Sequence, residues 1–157
     1  MKREHKYTIE VKWTGNLGLG TDSYTAYTRD HAIKKNGAHP IEGSSDPAFR
    51  GNPNRYNPEE LLLSTLSSCH MLVYLHLCAV SGITVTTYQD QPEGIMLEDE
   101  NGSGRFVSAV LKPVIGILEE EKLAEAVALH EQAHKTCFIA NSVNFKIDIE
   151  PEISIAL

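Results

Sequence analysis

The stretch NPEELLLSTLSSCHMLVYLHLC, residues 57–78, constrains this chain more than any other. It opens with an asparagine able to cap a helix, a proline suited to the first turn and two acids favoured by the helix dipole. A largely apolar run follows as far as Ser81-Gly82, where glycine can end the helix. Ser64, Thr65, Ser67, Ser68, His70 and His76 interrupt the run, so it reads as a buried helix of a soluble protein rather than a membrane span.

A chain of 157 residues fits one domain, here residues 1–157, with enough length to bury a core without a disulfide or metal. Its 14 Lys and Arg against 21 Asp and Glu give a net charge of -7, and no basic block or aromatic-basic stripe is present. Nucleic acid and anionic membrane are therefore poor partners. The opening MKREHKYTIEVKW has no apolar h-region and no small-residue cleavage site, which makes a cytoplasmic location the expectation. Three cysteines at irregular spacing do not make a secreted disulfide framework; in a reducing compartment a cysteine pair points to catalysis or metal binding.

The remaining text alternates between strand, turn and helix patterns. KYTIEVKW reads as a strand, TGNLGLGTD as a turn and SYTAYTR as the returning strand. Residues 31–56 carry three of the seven prolines and no period, which predicts a long loop of the kind that is often functional. After the helix, ITVTTYQ reads as a strand with GIMLEDE as its possible partner, RFVSAVLKPVIGI as another strand, Glu119 to about Lys135 as a second helix and VNFKIDIEPEISI as a closing strand. This order of elements defines an α+β domain. No internal repeat, low-complexity tract, GxGxxG or phosphate-binding loop is found.

At 100° per residue, Cys69 shares a line with Leu62, Leu66, Leu72, Val73 and His76, which predicts that it faces the core. Cys78 points to the opposite side and reads as a packed hydrophobe. In the second helix Leu123, Val127, His130 and His134 follow the spacing of a buried stripe whose line reaches Cys137. Each helix thus brings one cysteine inward, and periodicity alone leaves open whether the two meet. Small neighbours surround Cys69, but it lies about 15 Å from the helix N-terminus, where the dipole no longer favours a thiolate. A cation must come from elsewhere, and the irregular loop supplies Arg50 and Arg55.

NPEELLLSTLSSCHM, with a second cysteine 68 residues later in AHKTCFIANSVNFKI, resembles the OsmC/Ohr family of thiol-dependent peroxidases, and the order of elements matches from end to end. The resemblance implies an OsmC-like fold of antiparallel sheets wrapped around two long helices, in an intertwined homodimer with sites at the interface. It implies that Cys69 is the peroxidatic thiolate and Cys137 the resolving thiol. The family's loop arginine falls on Arg50, with Arg55 as the second choice, and its helix-start glutamate falls on Glu59, which would grip the guanidinium. The substrate would be an organic hydroperoxide, met by an apolar lining from Leu66, Met71, Leu72 and Val73. No cofactor is implied; an external dithiol, a lipoylated protein or a small thiol, would restore the cysteines. The chain departs from many family members in having Phe138 where proline follows the second cysteine and His70 where an apolar residue follows the first.

Two other classes compete. His130, His134 and Cys137 have ligand spacing on one helical face, with His70 or His76 as a fourth group, so a metal site is conceivable; satisfied core or interface histidines are the simpler reading, since no CxxC or HExxH accompanies them. The other is an interaction module that keeps the fold without the activity.

Overall fold

The computed structural model describes residues 3–156. The chain divides into two units at Leu61. In the first, β1 (Glu10–Trp13), β2 (His31–Lys34) and β3 (Ile41–Gly43) form an antiparallel sheet in that order, with Val11 opposite Ile33 and Ala32 opposite Glu42. The opening hairpin is thus present, but its returning strand is β2, not SYTAYTR, and β2 and β3 lie inside the stretch expected to be loop. The turn chemistry explains the shift. Asn16 Oδ1 accepts from the N–H groups of Gly18 and Gly20, and Arg29 donates to the carbonyls of Tyr24 and Tyr27 while its guanidinium stacks over both rings at 4.2 and 4.4 Å. Residues 24–29 are occupied with that stack, and regular pairing starts only after it. Gly15 is required by close approach, since a Cβ there would sit 2.0 Å from the Thr28 carbonyl oxygen.

Helix α1 (Pro58–Val80) starts as its sequence dictates. Asn57 Oδ1 accepts from the Glu60 N–H at 2.8 Å and Glu60 Oε2 accepts from the Asn57 N–H at 3.0 Å, a capping box contributing about 1 kcal/mol. It ends at Gly82, which adopts φ +66° and lets the Ile83 N–H reach back to the Cys78 carbonyl at 2.9 Å. Lys122 then places its ammonium on the Ser81 and Gly82 carbonyls, where the helix dipole is negative.

The second unit holds most of α1 together with β4 (Val85–Asp90), β5 (Glu93–Glu98), β6 (Gly104–Leu111), β7 (Pro113–Ile117), α2 (Leu123–Thr136), β8 (Lys146–Ile149) and β9 (Glu152–Ile155). RFVSAVLKPVIGI and VNFKIDIEPEISI are each two strands, not one. Pro113 and Pro151 have no N–H for a ladder, and the chain changes sheet at each. The two segments run parallel, Ser108 opposite Lys146 before the break and Val114 opposite Glu152 after it. Each half takes an antiparallel partner, giving sheets β5-β6-β8 and β4-β7-β9. Hence the strand after α1 pairs with β7, GIMLEDE pairs with β6, and both sheets are mixed rather than purely antiparallel.

Two apolar clusters fill this unit. Tyr74, Cys78, Ile83, Ile115, Ile117, Ala126, Leu129 and Ala133 join both helices to the β4-β7-β9 sheet, while Leu66, Ala109 and Leu111 join α1 to β6. Full burial of one such leucine or isoleucine contributes roughly 1.5–3 kcal/mol. Helix α1 has the length and hydropathy of a membrane span, yet its buried side chains are matched by α2 and the sheets, as expected of a core helix.

Candidate active site: a cysteine pair beside a histidine pair

Cys69 lies in the middle of α1, and Cys137 is the residue that caps α2, its backbone already extended at φ -68° and ψ 115°. The two meet. Cys137 Sγ donates to Cys69 Sγ at 2.7 Å, both thiols are free, and Cys137 Sγ also accepts from the Ala140 N–H at 3.4 Å. Cys137 is 1% exposed, whereas Cys69 is half-buried. Burial, reinforced by the hydrogen bond to Cys69, pushes the Cys137 thiol up to about 11 and keeps its proton in place. Cys78, the third thiol, is fully buried among apolar side chains, in line with its reading as packing.

Neither helix buries the stripe its sequence suggests. In α1 the buried line is Leu66, His70, Tyr74 and Cys78, four residues apart, while Leu72 is 63% exposed and His76 faces outward. Cys69 therefore sits on the flank of the core face. In α2, Leu123 and Val127 are exposed and Ala126, Leu129, His130 and Ala133 are buried. The physical reason is pairing between the helices: His70, which lies off the buried line expected of its own helix, is drawn in by a polar partner on the other. His70 Nε2 and His130 Nδ1 are 2.9 Å apart, and the Tyr74 ring stacks on His130 with centroids 3.9 Å apart. The small side chains of Ala126 and Ala133 leave room for this contact. Polar groups with a partner bury readily, and helical periodicity cannot see a partner on another helix.

The histidine pair is neutral at physiological pH. Burial pushes both imidazoles down to about 4; His134 adds to this for His70 and Asp90 opposes it, while His70 adds to it for His130. An unfolded histidine takes up a proton near pH 6.5, so between about 6.5 and 4 the unfolded chain binds protons that the folded chain refuses. Stability is therefore complete above about pH 6.5 and falls as pH is lowered through that window, by on the order of a few kcal/mol for the pair. Urea unfolding should show a midpoint that drops between about pH 7.5 and about pH 5, and the drop should shrink in the His70→Leu/His130→Leu double variant. Equal drops in both proteins would contradict this account.

His70 and His130 are core histidines, in line with the simpler of the two sequence readings, although their pairing with each other was not foreseen; a second anchor was missed. Ser67 Oγ donates to Asp90 Oδ2 at 2.5 Å, and the Lys112 N–H donates to Asp90 Oδ1 at 2.7 Å. One carboxylate thus ties α1, two residues before Cys69, to the end of β4 and to the break between β6 and β7. The signals for the pair are the place of His130 on the buried stripe of the second helix and the adjacency of His70 to Cys69; nothing marks Asp90.

Two ligands of the metal alternative are engaged with other partners. His130 Nδ1 is engaged by His70 and Cys137 Sγ by Cys69, and among the described residues no group of three or more His, Cys, Asp or Glu could hold an ion.

The remaining expected site residues belong to the first unit. Arg55 contacts Asp30 at 3.7 Å and Glu42 at 3.6 Å. Arg50 ends the short 3-10 turn Pro47–Phe49 with a left-handed φ of 64°, its guanidinium 5.9 Å from the centre of the Tyr24 ring. That conformation is unusual for a residue with a Cβ. Among the described residues neither arginine forms an ion pair with Glu59; Asp30 and Glu42 engage Arg55, the second choice, and the helix-start glutamate that bonds is Glu60, to the Asn57 N–H.

An α+β chain that brings two free thiols from two packed helices into contact defines a class of helix-borne dithiol proteins. A family model described as OsmC-like protein matches residues 51–152, well over half of the chain, and the protein belongs to that family. Among solved structures, it is similar to an OsmC-like protein of unknown function from Vibrio cholerae, with a TM-score of 0.82 and 28% identity over 94% of this chain and 99% of that one. It is similar also to an organic hydroperoxide resistance protein from Elizabethkingia anophelis, with a TM-score of 0.66 and 20% identity over 98% of this chain and 100% of that one, a likeness that establishes the shared fold. A Bacillus subtilis protein, the uncharacterised YmaD, is 22% identical over 98% of this chain and 97% of its own length.

Proposed function

We propose that the chain is a thiol-dependent peroxidase that reduces organic hydroperoxides in oxidative-stress defence. The observation that carries the reading is the contact between Cys69 and Cys137, 2.7 Å apart with the proton donated by Cys137. Cys137 is sealed from solvent and holds its proton, which leaves the half-buried Cys69 as the sulfur a substrate can reach. The Cys69 thiolate attacks the terminal oxygen of ROOH; the O–O bond breaks, sulfur is oxidised to the sulfenic acid, and RO⁻ leaves and takes a proton to become ROH. The Cys137 thiol then condenses with Cys69–SOH, forming the disulfide and releasing water. An external dithiol, a lipoylated protein or a small thiol, reduces the disulfide and is itself oxidised to a disulfide.

The family organisation supports the rest of the reading. We infer a cytoplasmic homodimer, for which the exposed Leu72 and Val80 of α1, Ile95 and Leu97 of β5 and Phe138 offer apolar surface to a second copy. Arg50 is the proposed activating cation, because Arg55 is taken up by Asp30 and Glu42 whereas Arg50 has no ion pair among the described residues; Glu59 is its proposed partner. Arg50→Ala should lower kcat/KM for cumene hydroperoxide by about 10–100-fold, and Arg55→Ala should act mainly on stability. The reverse order would transfer the role to Arg55. The function itself is tested by incubating the purified protein with cumene hydroperoxide and dihydrolipoamide. Catalytic loss of peroxide with matching oxidation of the dithiol is expected; a rate no higher than that of dithiol alone would reject the proposal.

A further inference from the structure

The two cysteines and the two histidines occupy successive positions in the same helix contact. Cys69 meets Cys137, His70 meets His130, and Tyr74 stacks on His130. Farther on, Tyr74 and Cys78 share a cluster with Ala126, Leu129 and Ala133. Numbers rise along α1 as they fall along α2, so the helices pack antiparallel. Most of this contact is apolar and non-directional, and small alanines line the α2 side. Such packing fixes that the helices touch more firmly than it fixes how far one slides along the other.

The histidine bond is different, because it needs one imidazole to donate and the other to accept at a set distance. His70 is 1% exposed and His130 4%, so water cannot take over from a lost partner. His70 Nδ1 and His130 Nε2 already lack partners; breaking the bond between Nε2 and Nδ1 would orphan two more buried atoms. An apolar pair of similar volume would bury without that cost, and what a polar pair adds over it is register. Sliding α1 by one turn, about 5.4 Å, would separate the sulfurs beyond bonding reach. Both imidazoles are neutral in the physiological range, which gives the bond its donor and its acceptor.

We infer that His70 and His130 are positioning residues for the Cys69–Cys137 redox pair: their buried hydrogen bond sets the register of α1 on α2 at which the two sulfurs meet. The inference rests on the dithiol reading of the cysteines. Its test is the equilibrium in which both thiols and oxidised glutathione give the intramolecular disulfide and two reduced glutathiones, a measurement that requires no peroxide.

The side-chain amide of asparagine occupies the place of an imidazole Nδ1, and that of glutamine the place of Nε2. His130→Asn and His70→Gln therefore keep a polar atom where the bond needs one, whereas His130→Gln and His70→Asn move it. The first two should hold the equilibrium constant within about twofold of wild type, and the second two should lower it about three- to tenfold, the equivalent of one net hydrogen bond. Near-UV circular dichroism checks folding, and the comparison is read at either position. General loosening of the packing would lower all four alike; that result, or four constants equal to wild type, would overturn the positioning role. A wild type that forms no disulfide at any glutathione ratio would instead remove the dithiol reading and this inference with it.

Discussion

Cys69→Ser is expected to lower cumene hydroperoxide consumption by on the order of 10³-fold or more, to the level of dithiol alone. A serine hydroxyl is nearly isosteric with the thiol but is not deprotonated at neutral pH and is a far weaker nucleophile toward a peroxide oxygen. Cys69 is only half-buried and lies on the flank of the core face, so the substitution should leave the fold and the unfolding midpoint close to wild type. Steady-state peroxide loss, measured beside a thermal melt, separates the chemical effect from a structural one. Turnover by Cys69→Ser comparable to wild type would show that the reaction does not pass through this sulfur.

Cys137→Ser should fail in a different way. The first step survives, because Cys69 can still attack, so one equivalent of peroxide is consumed per chain. With no thiol at 2.7 Å to trap it, the sulfenic acid on Cys69 stays exposed to a second peroxide and proceeds to sulfinic acid. Intact mass should rise by about 32 Da under excess peroxide, and multiple turnover should end. In wild type the mass should fall by about 2 Da as the disulfide forms. An intramolecular disulfide still forming in Cys137→Ser would reassign the resolving role to Cys78, which its burial among Tyr74, Ile115 and Ala126 argues against.

The order of elements was largely legible in the chain itself. Asn57-Pro58 and Gly82 bound α1 as local chemistry requires, and the second helix ends as its basic last turn suggests. The departures have two sources. β2 was displaced from SYTAYTR because Arg29 engages two tyrosines, and the long strands after Arg105 and Val143 were divided because a proline interrupts two neighbouring segments that pair with each other. The proline breaks are matched between segments distant in sequence, whereas the Arg29 contacts are local, two and five residues apart, and leave no mark in the apolar alternation. The site shows the same limit. At the helix start the capping bonds are made by Glu60, which a motif position alone does not distinguish from Glu59, and Arg55 is the arginine held by Asp30 and Glu42.

The sequence by itself determined an α+β chain of the OsmC-like family, with one cysteine in the middle of a long apolar helix and another at the end of a second. It could do so because caps, turns and periodicity act over a few residues and leave their marks locally. Only the tertiary structure decided that the two sulfurs touch, that Cys69 lies on the flank of the core rather than at its centre, and that the core face runs through His70 and Tyr74. Those outcomes depend on how α2 meets α1. The polarity of a histidine says that it must find a partner when buried, and only the packing of the two helices says that the partner is another histidine.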